Sequence, residues 1–258
     1  MNAVLLASAV TLVIVMLVTW SASLAAKDAS IVDIVWGLAF VAVAVVAAVI
    51  VGEGSDDRRL LLTVLVTVWG VRLAGYLAWR NRGREEDYRY RAMRKKYGDR
   101  FPVMSLVTVF GTQGLLAWIV SLPVQLAATA ARPPGLGPLA LIGVVVWAVG
   151  LFFEAVGDVQ LARFKDDPAN EGQVMDHGLW RYTRHPNYFG DFCVWWGIFL
   201  IAAETGPGRW GIVGPIVMSV LLLKVSGVAM LERTITERRP AYADYARRTS
   251  AFFPRPPH

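Results

Sequence analysis

The chain has one cysteine and three histidines in 258 residues. A lone thiol at Cys193 excludes an intramolecular disulfide and any Cys-based metal site. Charge is scarce too: 18% of residues are Asp, Glu, Lys or Arg, against about 25% in an ordinary soluble domain. No internal repeat or low-complexity segment stands out, and the Pro/Gly-rich stretch at 132–138 is long enough only for a turn. These shortages exclude a soluble enzyme, a nucleic-acid-binding domain and a disulfide-stapled secreted module.

Long apolar runs are what the chain has in quantity. Hydrophobic residues make up 55% of it, and mean hydropathy is +0.46. Runs at 3–26, 31–51, 59–79, 103–130, 138–162, 189–203 and 210–231 approach or exceed the roughly 20 residues a helix needs to cross the bilayer core. The expected fold is all-α, a polytopic membrane bundle of about seven helices in one membrane domain. No Lys or Arg precedes Lys27, so the first run reads as a spanning helix and not as a cleaved signal.

The net charge of +6 fits this class once its distribution is counted. Residues 80–100, 163–184 and the tail from 232 carry most of the Lys and Arg, whereas the alternate connections hold Arg58 and Arg59 among acids, then Arg132, then Arg209. An N-terminus outside and a C-terminus inside puts all three basic segments on the cytoplasmic side of the membrane.

Ionisable residues at membrane depth are costly and mark function unless they are paired. Asp33 opens the second run. Arg72 and Tyr76 lie four apart in the third. Glu154, Asp158 and Lys165 share one face of the fifth by their spacings of four and seven. An interhelical pair with Arg72, or a snorkelling Lys165, is the structural alternative, and Lys224 in the last run carries the same two readings.

The densest polar signal runs from Asp176 to Asp191. Arg181 and Arg184 suit phosphates, Asn187 offers a donor and an acceptor, and Pro186 starts a helix whose free N–H groups favour an anion. Trp180, Tyr182 and Tyr188 are interleaved with these groups, and a merely solvated basic loop would not need them.

The block at 178–197, Asn81-Arg82-Gly83-Arg84 and the closing Pro240-Ala241-Tyr242-Ala243-Asp244-Tyr245 resemble the steroid 5α-reductase-like membrane reductases, specifically a bacterial branch. The resemblance covers most of 30–254. It implies NADPH-dependent reduction of an activated carbon–carbon double bond in a lipophilic substrate, with residues 1–80 on the substrate side and 81–258 on the cofactor side. It further implies cofactor contacts from Asn81, Arg82, Arg84, Glu154, Asp158, Lys165, Asn187 and Asp191. Arg181, Arg184, His185, Tyr188 and Tyr245 join them as expected cofactor-binding residues. Hydride addition to an enone needs a donor at the carbonyl oxygen. The family's glutamate and tyrosine are absent at their places here, so Asp33 and Tyr76 with Arg72 are the expected substitutes. A second possibility is that Asp33 pairs with Arg72 simply to join two helices.

An S-adenosylmethionine-dependent methyltransferase is the rival reading, because related isoprenylcysteine carboxyl methyltransferases share the Arg184-His185-Pro186 motif. Those relatives carry a Glu-Glu pair where this chain reads Leu231-Glu232-Arg233, and they lack the Asn-Arg-Gly-Arg motif. A non-enzymatic scaffold or transporter leaves the phosphate-suited residues unexplained.

Overall fold

The computed structural model describes residues 1–50, 56–225, 228 and 242–256. Leu231-Glu232-Arg233, Pro240 and Ala241 therefore lie outside the described residues. Among the described residues the chain is all helical, with no strand. Six helical segments are long and apolar enough to span a membrane: Asn2–Ala26, Ile31–Ile50, Asp56–Asn81, Tyr88–Val120, Pro138–Asp166 and Pro207–Val225. The run at 189–203 forms a helix too, Pro186–Ala203, but Pro186, Asn187 and Asp191 dilute its apolar character and it is not one of the six. Large aliphatic side chains such as Val10, Val68 and Val145 are about half exposed along the spans, which in a bilayer is contact with lipid. The protein is an integral membrane protein.

Two compact units make up the chain: Met1–Leu139 with Ile201–Gly214, and Ala140–Leu200 with Pro215–His258. In the first unit, α1 (Asn2–Ala26) ends at Lys27, whose left-handed backbone (φ 56°) turns the chain, and the Asp28 side chain caps Ser30 N–H at 2.8 Å before α2 (Ile31–Ile50) begins. α2 packs on α3 (Asp56–Asn81) through Gly37 and Gly70. A Cβ on either glycine would lie 2.5 Å from the other's carbonyl oxygen, so only glycine permits this crossing. Phe40 stands edge-on to both Trp36 and Trp69 beside it, at 5.1 and 5.5 Å.

The next span is a composite. α4 (Tyr88–Tyr97) is basic and capped by the Asp87 side chain; a 3₁₀ turn then leads to α5 (Phe101–Ser105), a π-helical stretch at Leu106–Gly111 and α6 (Thr112–Val120). Pro123 lacks an N–H, and the helix breaks at Ser121 before resuming as α7 (Leu122–Ala128). A buried ion pair closes this unit at the start of α3. Arg58 donates to Glu204 Oε2 at 3.0 Å and to the carbonyls of Pro133 and Gly135, while Gly137 N–H donates to the same Glu204 oxygen. Arg58 is 1% exposed, so the sequence-based view of it as a loop base is corrected here to a buried tie.

The second unit is organised by α8 (Pro138–Asp166) and α9 (Pro186–Ala203). Glycines seven apart form the seam: a Cβ on Gly197 would meet Gly143 O at 2.6 Å, one on Gly190 would meet Gly150 O at 2.5 Å, and Gly157 faces Pro186. This pairing makes the two helices antiparallel with backbones in contact. The remaining described α-helices are α10 (Val213–Val220), followed by a π-helical stretch at Leu221–Val225 containing Lys224, and α11 (Tyr242–Arg248).

Candidate active site

The glycine seam of the second unit carries the acids expected on α8. Glu154 is 4% exposed and Asp158 6%, on the face that Gly150 and Gly157 present to α9. Asn187, in the first turn of α9, donates through Nδ2 to Asp158 Oδ1 at 3.2 Å. His185 is buried, and its ring stacks on Tyr188 with centroids 5.5 Å apart and planes 12° from parallel. Asp191 lies one turn further along α9, half-buried. The structure thus brings Glu154 and Asp158 of α8 to the side that faces the start of α9, where His185, Asn187 and Tyr188 lie. Lys165 and Arg181 are solvent-exposed in the same unit.

The segment between the helices is shaped by tertiary bonds. Gly178 takes φ 61° against Gln160, whose Oε1 accepts from Leu179 N–H at 3.0 Å. Trp180 is buried with Phe164 and Met175, and its Nε1 donates to Gly157 O at 3.1 Å. The indole thereby packs the loop onto α8. Tyr245 is also buried, and its hydroxyl donates to Trp180 O; burial pushes this phenol well above its ordinary pKa. Arg184 Nη1 donates to Ala246 O at 2.7 Å and Thr249 O at 2.8 Å, and Thr183 Oγ1 donates to Phe252 O. Tyr245 and Arg184 thus fasten the C-terminal segment to the loop.

In the first unit, Asp33 finds partners that the sequence reading does not name. Its Oδ2 accepts from Arg89 Nη2 at 2.8 Å, and its Oδ1 accepts from Tyr90 OH at 2.8 Å; Gln113 Nε2 donates to the same phenol at 3.3 Å. Both carboxylate oxygens are engaged by α4. The helix-joining role weighed for Asp33 is the one this geometry supports, with Arg89 as the cation. Glu86 reinforces the strap, accepting from Arg94 at 2.8 Å and from Ala29 N–H at 2.8 Å. Burial alone would raise Glu86 and Asp87, but Arg94 and Ala29 N–H at the first, and Arg89 at the second, hold both below the usual carboxylate range. The signal for this network lay in α4 itself, where Asp87 caps a helix with Arg89, Tyr90 and Arg94 on the side turned inward.

Tyr76 lies under the Arg80 guanidinium, 5.8 Å from its ring centroid, and beside Trp79, one turn after the half-buried Arg72. Asn81 Oδ1 accepts from Arg80 Nε at 3.2 Å, and Gly83 at φ 71° closes the turn. This leaves Arg82 and Arg84 exposed at the end of α3. Among the described residues, the guanidiniums of Arg82, Arg84 and Arg181 carry no ion pair.

A family model described as a protein of unknown function (DUF1295) matches residues 12–249. An uncharacterized protein of the yeast Schizosaccharomyces pombe is 24% identical over 92% of this chain and 76% of its own length. A probable O-methyltransferase of Ustilaginoidea virens is 38% identical over 22% of this chain and 20% of its own length. No solved structure matches. The chain belongs to the DUF1295 family, which falls within the steroid 5α-reductase-like superfamily.

Proposed function

We propose that the protein reduces an activated carbon–carbon double bond in a lipophilic, enone-type substrate with NADPH, as a bacterial inner-membrane enzyme whose site opens to the cytoplasm. The observation that carries this reading is the pair of buried acids Glu154 and Asp158 at the α8–α9 seam, with the half-buried Asn187 donating to Asp158. Ionisable groups this deep in an apolar pair of helices mark a functional site by default. The donor set fits a dinucleotide: carboxylates and an amide suit its hydroxyls and carboxamide, and the exposed guanidinium of Arg181 with Lys165 suits its phosphates. Asn81, Arg82 and Arg84 are assigned to the cofactor on the motif alone. The bound cofactor would supply the hydride.

This chain's residues would do the rest. His185 stacks on Tyr188 and sets the orientation of both rings, while Asn187 fixes the Asp158 carboxylate. On the substrate side, Tyr76 supplies a phenol and Arg72 a charge to meet the oxygen where negative charge develops. Asp33 holds α4 in place. The test is label transfer: membranes given NADPH deuterated at its transferable position should pass deuterium into the apolar lipid extract. An Asp158→Asn protein should not.

A methyltransferase is the second reading, favoured by the partial likeness to the probable O-methyltransferase. Transfer of label from methyl-labelled S-adenosylmethionine into the same extract, with none from NADPH, would establish it instead.

A further inference from the structure

α11 and the closing residues form a second polar site. A cleft of about 280 Å³ is lined by Arg247, Arg248, Thr249, Ser250 and Arg255. One water takes a share of roughly 30 Å³, so the cleft has room for a phosphoryl group and part of what it esterifies.

Its walls are fixed from behind. Arg184 N–H donates to Ser250 O at 2.9 Å, Arg255 N–H donates to Tyr182 O at 3.0 Å, and Thr249 N–H donates to Tyr245 O at 3.0 Å. The carbonyl end of a helix ordinarily repels an anion. Here Arg184 Nη1 covers the carbonyls of Ala246 and Thr249 and removes that objection. Asp244 and Asp176 are ion-paired with Arg247 and Arg248, which orients both guanidiniums and leaves their other N–H groups available. Arg255 is exposed, with no ion pair among the described residues.

We infer that this cleft binds a phosphoryl group, forked by Arg247, Arg248 and Arg255 and met by the hydroxyls of Thr249 and Ser250. Planar guanidiniums beside hydroxyls are the donor set that phosphate mono- and diesters select. Arg184 acts as a positioning residue behind the cleft. The inference does not depend on the proposed reduction, to which none of the residues lining this cleft is assigned.

Calorimetric titration of the full chain in a neutral detergent tests it. Three probes are used: inorganic pyrophosphate, dihexanoyl phosphatidylglycerol and dihexanoyl phosphatidylcholine. Saturable binding of pyrophosphate assigns the cleft to soluble phosphates; binding of the phosphatidylglycerol alone assigns it to an anionic lipid headgroup. Either should weaken about tenfold or more in the Arg247→Gln/Arg255→Gln protein, and in Ser250→Asp, which places a carboxylate among intact guanidiniums. Both variants change surface groups and should melt with the wild type. An Asn187→Ala protein, impaired at the seam, should bind the probe undiminished, which separates this inference from the proposed reduction. Binding of none of the probes, equal binding of the phosphatidylcholine, or undiminished binding by the two cleft variants overturns it.

Discussion

Asp33 shows how a carboxylate at the edge of an apolar helix is made tolerable: Arg89 takes one oxygen and Tyr90 the other. Asp33→Asn keeps the shape but removes the charge that Arg89 faces. It should lower stability by about 1.5–3 kcal/mol, the range for a hydrogen bond to a charged group, and activity should fall only with folding. Thermal unfolding alongside turnover checks this, and an undiminished melting temperature with turnover down about a hundredfold would return Asp33 to the role of proton donor. Glu86 and Asp87 add a pH dependence to the same strap. Their carboxyls are depressed in the folded protein, so their contribution is present above the unfolded values of about 4.3 and 3.9 and is lost as pH falls through the lower folded ones. Stability should hold from neutral pH to about 4.5 and decline below it, and Glu86→Gln should flatten that decline. The sequence makes plain that Asp33 needs a partner. It does not name the partner, because the approach of α4 to α2 depends on Glu86 finding Ala29 N–H, a backbone group with no signature in composition.

Close helix crossings depend on missing side chains as much as on those present. Gly190→Ala would drive a methyl group to 2.5 Å from Gly150 O and from Glu154 N, so α8 and α9 must part. We expect a loss of at least about 1–3 kcal/mol, the usual cost of overpacking, with the Asp158–Asn187 bond disturbed as well. Gly75→Ala, with nothing within 4 Å of the added carbon, should be neutral or stabilise α3 by up to about 1 kcal/mol. Urea or thermal unfolding of the two variants in one detergent makes the comparison. The apolar runs make the helices legible, and the spacing of four and seven puts Glu154, Asp158 and Lys165 on one face. Glycines at 143 and 150 facing 197 and 190, with Gly157 against Pro186, show the same period, and they explain why the face with Glu154 and Asp158 turns towards α9. Pro123 announces the break at Ser121, whereas the π-helical stretches arise from packing that no local pattern announces.

At the scale of the whole molecule, base-rich segments alternate with base-poor ones along the chain. If the base-rich segments lie in the cytoplasm, alkaline phosphatase fused after the last residue should be inactive in a bacterial host, and a fusion within 131–137 should be active. The reverse pattern would invert the topology and move the α8–α9 seam's polar end to the outer face. The membrane class and helical fold follow from composition and hydropathy. The division into two units does not, because residues 201–214 rejoin the first unit through contacts far apart in sequence, among them Arg58 with Glu204. Arg184 and Tyr245 were visible as a motif, but their residue types alone could not distinguish a ligand contact from a bond to a backbone carbonyl. The proposed function stands on Glu154, Asp158 and the half-buried Asn187 holding NADPH. The deciding measurement is calorimetric titration of the detergent-purified protein with NADPH and with S-adenosylmethionine. NADPH should bind saturably, S-adenosylmethionine should not, and Asn187→Ala should weaken NADPH by roughly 1.5–3 kcal/mol. Saturable binding of S-adenosylmethionine without NADPH, or NADPH binding that ignores Asn187, would contradict the account.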